Sequence, residues 1–254
     1  MIFAEDALSQ DKFLGGKLLI SQPKAGYRAA MDPVLLAAAC GAQAGESVLE
    51  LGCGAGVASL CVGRRTGAVL TGLELQPAYA DLARRNATQN GIDFDVHEGD
   101  LAQMPSALRA MSFDHVIANP PYFPAASGTA AADMGRETGQ REVTPLAMWV
   151  DRGIKRLHPG GWMTVIQNAD RLADLLAALL AVQAGSITVL PIAPRVGRPA
   201  GRVIVRARKL ARGPLTLLAP LVLHAALQHG EDREDLTPQA RAILRDGAIL
   251  PLDR

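Results

Sequence analysis

Along this chain the apolar residues come in short β-branched runs, separated by stretches in which they recur every three or four positions. Ser47 to Leu51, Ala68 to Leu73, Phe94 to His97, His115 to Ala118, Trp162 to Gln167, Ile187 to Ile192 and Arg202 to Arg208 read as strands. Pro77 to Asn90 reads as a helix that closes at Asn90-Gly91, and Leu172, Leu175, Leu176, Leu179 and Leu180 share one face of another. Strand and helix in alternation imply a parallel sheet covered on both faces. Between the last two strands only Ala193 to Gly201 remain, with Pro194, Gly197, Pro199 and Gly201 among them. That is too short for a crossover helix, so this pair is expected to be an antiparallel hairpin. The pattern therefore predicts an α/β fold with a seven-stranded, mostly parallel sheet and an antiparallel C-terminal hairpin. The 46 residues from Met1 to Glu46 do not read as an independent bundle, and no internal repeat is visible. One domain over residues 1–254 is expected, with 1–45 as an N-terminal segment and 46–254 as the core.

Composition narrows the setting. With 254 residues, 49% of them hydrophobic, the chain can bury a full core. No apolar run approaches the roughly 20 residues that cross a bilayer, and the N-terminus carries Glu5, Asp6 and Asp11 instead of a basic stretch. A cytoplasmic protein with no membrane partner is the expectation. Cys40, Cys53 and Cys61 are odd in number and lack paired spacing, so reduced thiols are expected and no metal site. Net charge is +1, yet Arg195, Arg198, Arg202, Arg206, Arg208, Lys209 and Arg212 follow one another with no acid between them. Such a stripe suits a phosphate backbone, and it suits equally a strand edge protected by charge. Glu231, Asp232, Glu234 and Asp235 form an acidic cluster later in the chain.

The strand ends carry the candidate chemistry. The first strand runs through Glu50 into Gly52-Cys53-Gly54-Ala55-Gly56, where glycines permit a tight turn, a close approach of ligand to backbone and packing of the following helix on the sheet. A glycine pattern alone is weak; its place between a strand and a helix is what points to a nucleotide-type cofactor. The second strand closes on Glu74, a carboxylate placed to accept both hydroxyls of a ribose, and the third on Asp100-Leu101. Dinucleotide enzymes use the same device, so these acids leave a nicotinamide-dependent oxidoreductase open. After the fourth strand comes Asn119-Pro120-Pro121-Tyr122. The Asn side-chain oxygen and a proline carbonyl can both accept from one planar NH2, and Tyr122 can stack on the ring that bears it. Asn-Pro-Pro is also an ordinary way to end a strand in a turn. The Ala- and Gly-rich stretch from Ala125 to Gly139 that follows is a candidate lid.

From Glu50 to Tyr122, this order of strand ends resembles the class I, Rossmann-like methyltransferases, and Asn119 to Tyr122 stands where their amino-methylating members carry a catalytic tetrapeptide. The resemblance implies S-adenosyl-L-methionine as methyl donor, with Gly52, Gly54 and Gly56 near its methionine part, Glu74 on the ribose and Asp100 with Leu101 at the adenine. It implies catalysis by Asn119, Pro120, Pro121 and Tyr122, with Asn119 also touching the donor. Gln22 to Arg28, running into Asp32-Pro33-Val34-Leu35-Leu36, and Pro220 to His224 resemble the bacterial valine-tRNA adenine-N6 methyltransferases. In that family the N-terminal segment packs over the cofactor, which makes Tyr27, Arg28 and Asp32 candidate donor-site or lid residues.

This resemblance implies adenine N6 of RNA, most of all tRNA near the anticodon, as the methyl acceptor. Its phosphates would be met by Arg136, Arg141, Arg195, Arg198, Arg206 and Arg208, and charge reversal at Arg206 and Arg208 is expected to weaken RNA binding. One departure stands out: the family's tail usually continues through a Gly and a Tyr-Thr pair, where this chain has Glu231 to Asp235 and then Leu236-Thr237 with no Tyr. N-methylation of rRNA, of DNA or of a protein glutamine shares the chemistry. A non-catalytic RNA-binding module would keep the basic stripe and have no use for the donor site. A monomer is expected.

Overall fold

A computed structural model describes residues 2–124, 141–142, 144–226 and 235–252, without the side chains of residues 123, 124, 141 and 142. The chain opens with an antiparallel hairpin, β1 (Leu8–Phe13) and β2 (Leu18–Pro23), that the sequence pattern did not reveal. Helix α1 (Asp32–Ala39) leads into β3 (Ser47–Leu51). Then follow α2 (Val57–Thr66), β4 (Val69–Glu74), α3 (Pro77–Asn90), β5 (Phe94–Glu98), α4 (Ser106–Ala110) and β6 (Phe113–Ala118). Two short strands, β7 (Phe123–Pro124) and β8 (Arg141–Glu142), pair with each other. The second half comprises α5 (Leu146–Arg156), β9 (Leu157–Asn168), α6 (Leu172–Ala181), β10 (Gly185–Ala193), β11 (Arg202–Arg208), β12 (Thr216–Leu217), β13 (Leu221–Val222) and α7 (Pro238–Arg241).

The main sheet has nine strands, and its seven long ones lie in the order β5-β4-β3-β6-β9-β11-β10, with β12 and β13 added outside β10. Neighbours from β5 to β9 run parallel, while β11 is antiparallel to both β9 and β10. The expected seven-stranded core with its antiparallel hairpin is therefore present. Central strands such as β6 are buried on both faces because helices cover both. On one face α1 and α2 pack through Leu35, Leu36, Leu60 and Val62; on the other α4, α5 and α6 pack through Leu108, Val150, Ile154 and Leu175.

Helix limits follow local chemistry. The α2 helix starts after Gly56 at φ +84° and stops at Gly67 at φ +70°, both in the left-handed region that side chains avoid. At its start α3 has Pro77, whose missing N–H costs nothing there.

The N-terminal hairpin is pinned to this core by side chains of α3: Asn90 accepts from Leu19 N (3.0 Å) and donates to Leu19 O (2.7 Å), and Asn86 does the same with Ser21 deeper in. Asn86, fully buried on α3, accepts from Ser21 N (2.8 Å) and donates to Ser21 O (3.1 Å) and Ala55 O (3.0 Å). It thus joins β2 to the glycine turn that follows β3. Replacing Asn86 by Ala leaves three buried backbone groups without this partner and should cost about 2–3 kcal/mol. A melting temperature lower by several degrees, with early hydrogen exchange in β2, is the expected result; unchanged values would show that the pin carries no stability.

Candidate active site

The carboxyl ends of β3, β4 and β6 open into one cleft of about 790 Å³, part of it open to solvent, in the position where open parallel sheets hold ligands. Gly52, Gly54 and Glu74 line it from one side, and Asn119, Pro121 and Trp149 from the other. Three glycines with φ of +66°, +53° and +84° make the turn after β3. They differ in what they make room for. A Cβ on Gly52 would lie 2.6 Å from the Trp149 ring, whereas one on Gly56 would press on Phe94 (3.1 Å) and Ala83 (3.3 Å). Gly56 therefore serves the packing of helix on sheet and is not part of the cleft wall.

Two acids sit in the cleft. Glu74 accepts Gly54 N at one oxygen and Gln76 N at the other, both at 2.8 Å, and burial still raises its pKa against those hydrogen bonds. Glu50 accepts Ser59 N (2.9 Å) and the Ser59 hydroxyl (2.6 Å) at one oxygen. Burial, with the Glu74 charge a smaller cause, pushes its pKa up to about 8. Among the described residues no Lys, Arg or His lines this cleft.

On the opposite wall Asn119 is half-buried and Pro120 buried. Gln167, fully buried at the end of β9, points its Nε2 at the carbonyls of Pro120 (3.4 Å) and Pro121 (3.3 Å). The Tyr122 hydroxyl donates to Asp32 at the start of α1. Arg202 pairs with the same Asp32 oxygen (3.1 Å) and lies over the Tyr122 ring, 4.6 Å from its centre. Burial and the Asp32 charge raise the Tyr122 pKa, so the phenol stays neutral. Tyr27 lines the cleft and its carbonyl accepts the Tyr79 hydroxyl (3.0 Å); burial, with Asp32 next, raises its pKa too.

Several expectations need correcting. Asp100 and Leu101 do not line the cleft: Asp100 accepts Ala102 N (2.8 Å) to close the turn after β5, and Leu101 is buried in the core. Arg206 is only 6% exposed and stacks on Trp162 at 4.3 Å, because strand alternation turns it inward beside Ile204. The Arg195 guanidinium is engaged by Asp235 at 2.7 Å. Arg198 and Arg208 are exposed as expected, with Arg208 Nε donating to Gly160 O (2.7 Å). The stripe is thus a series of separate roles. Arg136, the Ala125 to Gly139 segment and Glu231 to Glu234 lie outside the described residues, as does the Arg141 side chain. Sequence reasoning missed Trp149, Gln167 and Arg202 at the site, since each comes from beyond residue 140 and reaches it only through the sheet. It also missed Gln76 and Tyr79, which follow Glu74 into α3. Among the described residues no cluster of three or more His, Cys, Asp or Glu could hold a metal, and no helix is long and apolar enough to cross a membrane.

The methyltransferase-domain family matches residues 48–137, which hold the glycine turn, both cleft acids and the Asn-Pro-Pro-Tyr stretch. A solved structure from Agrobacterium tumefaciens, described as a predicted O-methyltransferase, superposes with a TM-score of 0.69 at 27% identity, over 87% of this chain and 98% of that one. This domain is a class I methyltransferase. A curated relative, the tRNA1(Val) (adenine(37)-N6)-methyltransferase of Yersinia enterocolitica, is 29% identical over 128 residues, 49% of this chain and 50% of that protein. The release factor glutamine methyltransferase of Geobacter sulfurreducens is 30% identical over 128 residues, 47% and 44% of the two chains. The chain thus spans about half the length of these curated relatives.

Class I methyltransferases take S-adenosylmethionine, and the cleft residues fit it. That donor carries a sulfonium and an ammonium, and two buried acids with no basic side chain beside them favour such charges, because a cation nearby helps each of them ionise. The pyrophosphate of a nicotinamide dinucleotide would oppose that ionisation and find no basic side chain to meet it.

The cleft acids also set a pH dependence. Glu50 is raised from 4.5 to about 8, so between those values the folded protein holds a proton that the unfolded chain has released. Stability from this group is complete at low pH and falls as pH rises through about 8. Glu50→Gln without donor should therefore melt higher than the parent at about pH 9, with the difference vanishing toward about pH 4. Parallel melting curves across that range would contradict the burial of a proton here.

Proposed function

We propose that this methyltransferase transfers a methyl group to the exocyclic N6 of an adenine in RNA, with tRNA near the anticodon as its substrate. The observation that carries the reading is that Asn119 and Pro121 line the same cleft as Glu74, while the Tyr122 ring is held beside them by Asp32 and Arg202. The relative named for adenine(37) of tRNA1(Val) supports the choice of base and nucleic acid.

The lone pair of an adenine amine is delocalised into the ring, so the free amine is a poor nucleophile. Asn119 Oδ1 and the Pro120 carbonyl each accept one N–H of the amine, which draws it toward tetrahedral geometry and turns the lone pair toward the donor. Gln167 uses one of the two lone pairs on the Pro120 oxygen and leaves the other for substrate. When bound, S-adenosylmethionine supplies an electrophilic methyl group whose bond to sulfur breaks as the bond to nitrogen forms. Nitrogen then releases one proton to water, and no strongly basic side chain is needed. Positioning and fixed dipoles do the work.

A hydroxyl acceptor has one hydrogen and would leave one of the two acceptors idle, which favours nitrogen over oxygen. Glutamine, the substrate named for the Geobacter relative, also presents a planar NH2. The Tyr122 ring favours a base, since it offers stacking area that a side-chain amide does not fill. Glu50, Gly52, Gly54 and Glu74, with Tyr27 on the outer side, hold the donor in this reading. Residues 1–45 serve as its cover within a single cytoplasmic domain.

Mass spectrometry of nucleosides from tRNA and rRNA treated with protein and labelled donor should find N6-methyladenosine in tRNA. Asn119→Ala should keep donor affinity by calorimetry and lose methyl transfer by about a hundredfold or more. Full activity in that variant would overturn the assignment.

A further inference from the structure

We propose that a hollow between α4 and α5 is a second phosphate-binding site, which takes backbone phosphates of the RNA substrate away from the target nucleotide. It rests on the RNA reading above. The hollow encloses about 380 Å³ and is lined by Arg109, Arg152, Lys155 and Arg156, with no acid in its wall. Asp151 offsets part of this charge, pairing with Lys155 (2.8 Å) and Arg152 (3.4 Å). Four cations against one acid leave a net positive concavity on a chain whose overall charge is +1.

Basic residues in the last turn of a helix have an ordinary explanation in the helix dipole, and α5 ends in Lys155 and Arg156. That accounts for two of the four and not for their convergence. Arg109 comes from α4, and Arg156 reaches across to donate to the carbonyls of Arg109 and Met111. Lys209, just past the end of β11, lies near the rim of the hollow: its ammonium donates to Leu157 O (2.6 Å), and burial, with the Arg156 charge next, lowers its pKa. Like charges gathered in a concavity with no acid in its wall are costly in the free protein, and a polyanion relieves that cost. Free phosphate would do so weakly. A chain of phosphates running from the cleft does so cooperatively.

Position supports this occupant. The α5 helix carries Trp149 at the cleft, with Arg152, Lys155 and Arg156 about 5–10 Å further along its axis. RNA with its target base in the cleft can therefore lay neighbouring backbone along this flank. Sequence reading placed the phosphate contacts on Arg195 to Arg208, where Arg195 and Arg206 turn out to be engaged or buried. The hollow supplies two exposed cations, Arg109 and Lys155, and two half-buried ones, Arg152 and Arg156.

The test is the double variant Arg109→Glu/Lys155→Glu, both exposed residues, in filter binding to tRNA over a salt series. A second pair on the opposite layer, Arg64→Glu/Arg241→Glu, matches its change in net charge. The first pair should bind tRNA at least about tenfold more weakly at low salt, with the slope of log Kd against log salt reduced by about 2. Calorimetric affinity for S-adenosylmethionine should be unchanged, which also reports a folded domain. Equal tRNA affinity in the first pair and the parent, or an equal loss in both pairs, would overturn the hollow while leaving the RNA reading intact. A parent that neither binds nor methylates tRNA would overturn the RNA reading and the hollow with it.

Discussion

Glu74 ends β4 and reaches to the turn after β3, where one oxygen accepts Gly54 N, while the other accepts Gln76 N just beyond it in its own segment. The same two strand ends are joined again by Gly52 N and Cys53 N on Leu73 O, at 2.8 and 3.0 Å. A turn of three positive-φ glycines has little reason to stay in one shape, because glycine loses more conformational freedom on ordering than any other residue. The carboxylate and the carbonyl of β4 supply that reason. Once the turn is set, Trp149 can lie against Gly52, α2 can close on the sheet at Gly56, and Asn86 can hold Ala55 and the N-terminal hairpin together. The cleft thus exists because one acid is spent on backbone amides.

Its electrostatics have a cost. Glu50 and Glu74 are both withdrawn from water, and burial, with the Glu74 charge a smaller cause, disfavours the charged form of Glu50. The free protein carries that strain, and a ligand bearing positive charge relieves it. Across the cleft the balance is different: Asp32 is offset by Arg202 and receives the Tyr122 hydroxyl, so this wall is locally neutral and ordered before any substrate arrives. One wall is therefore selective for charge and the other for shape.

The sheet, its order of strand ends and the residues from Glu50 to Tyr122 could be read from sequence because each strand is a short apolar run and each candidate residue sits at its end. Arg206 could not. It falls in a run of cations that looks like surface, and only the pairing of β11 with β9 reveals that even-numbered positions there face α1. Asp100 does sit at a strand end, and what the sequence could not show is that one of its oxygens closes the turn itself. The β1–β2 hairpin was hidden because Leu8–Phe13 holds little apolar character of its own and depends on α3 for its place. Trp149, Gln167 and Arg202 carry no local mark of function, since their meaning lies in contacts across more than 40 residues of sequence with Pro120, or 170 with Asp32.

The reversed direction of β11 has a consequence for how the gene can be cut. In a parallel strand the residue at the mouth of the cleft is the last one; in β11 it is the first, Arg202, level with Asn168 at the end of β9. A fragment ending just before β11 would keep the sequence of every residue that lines the cleft and lose the strand that stands between β9 and β10. It would lack the guanidinium that seats Tyr122 and the strand that shields β9. After residue 201 the chain therefore adds a single side chain, Arg202, to the acceptor wall, while its backbone fills the place between β9 and β10 that closes the sheet.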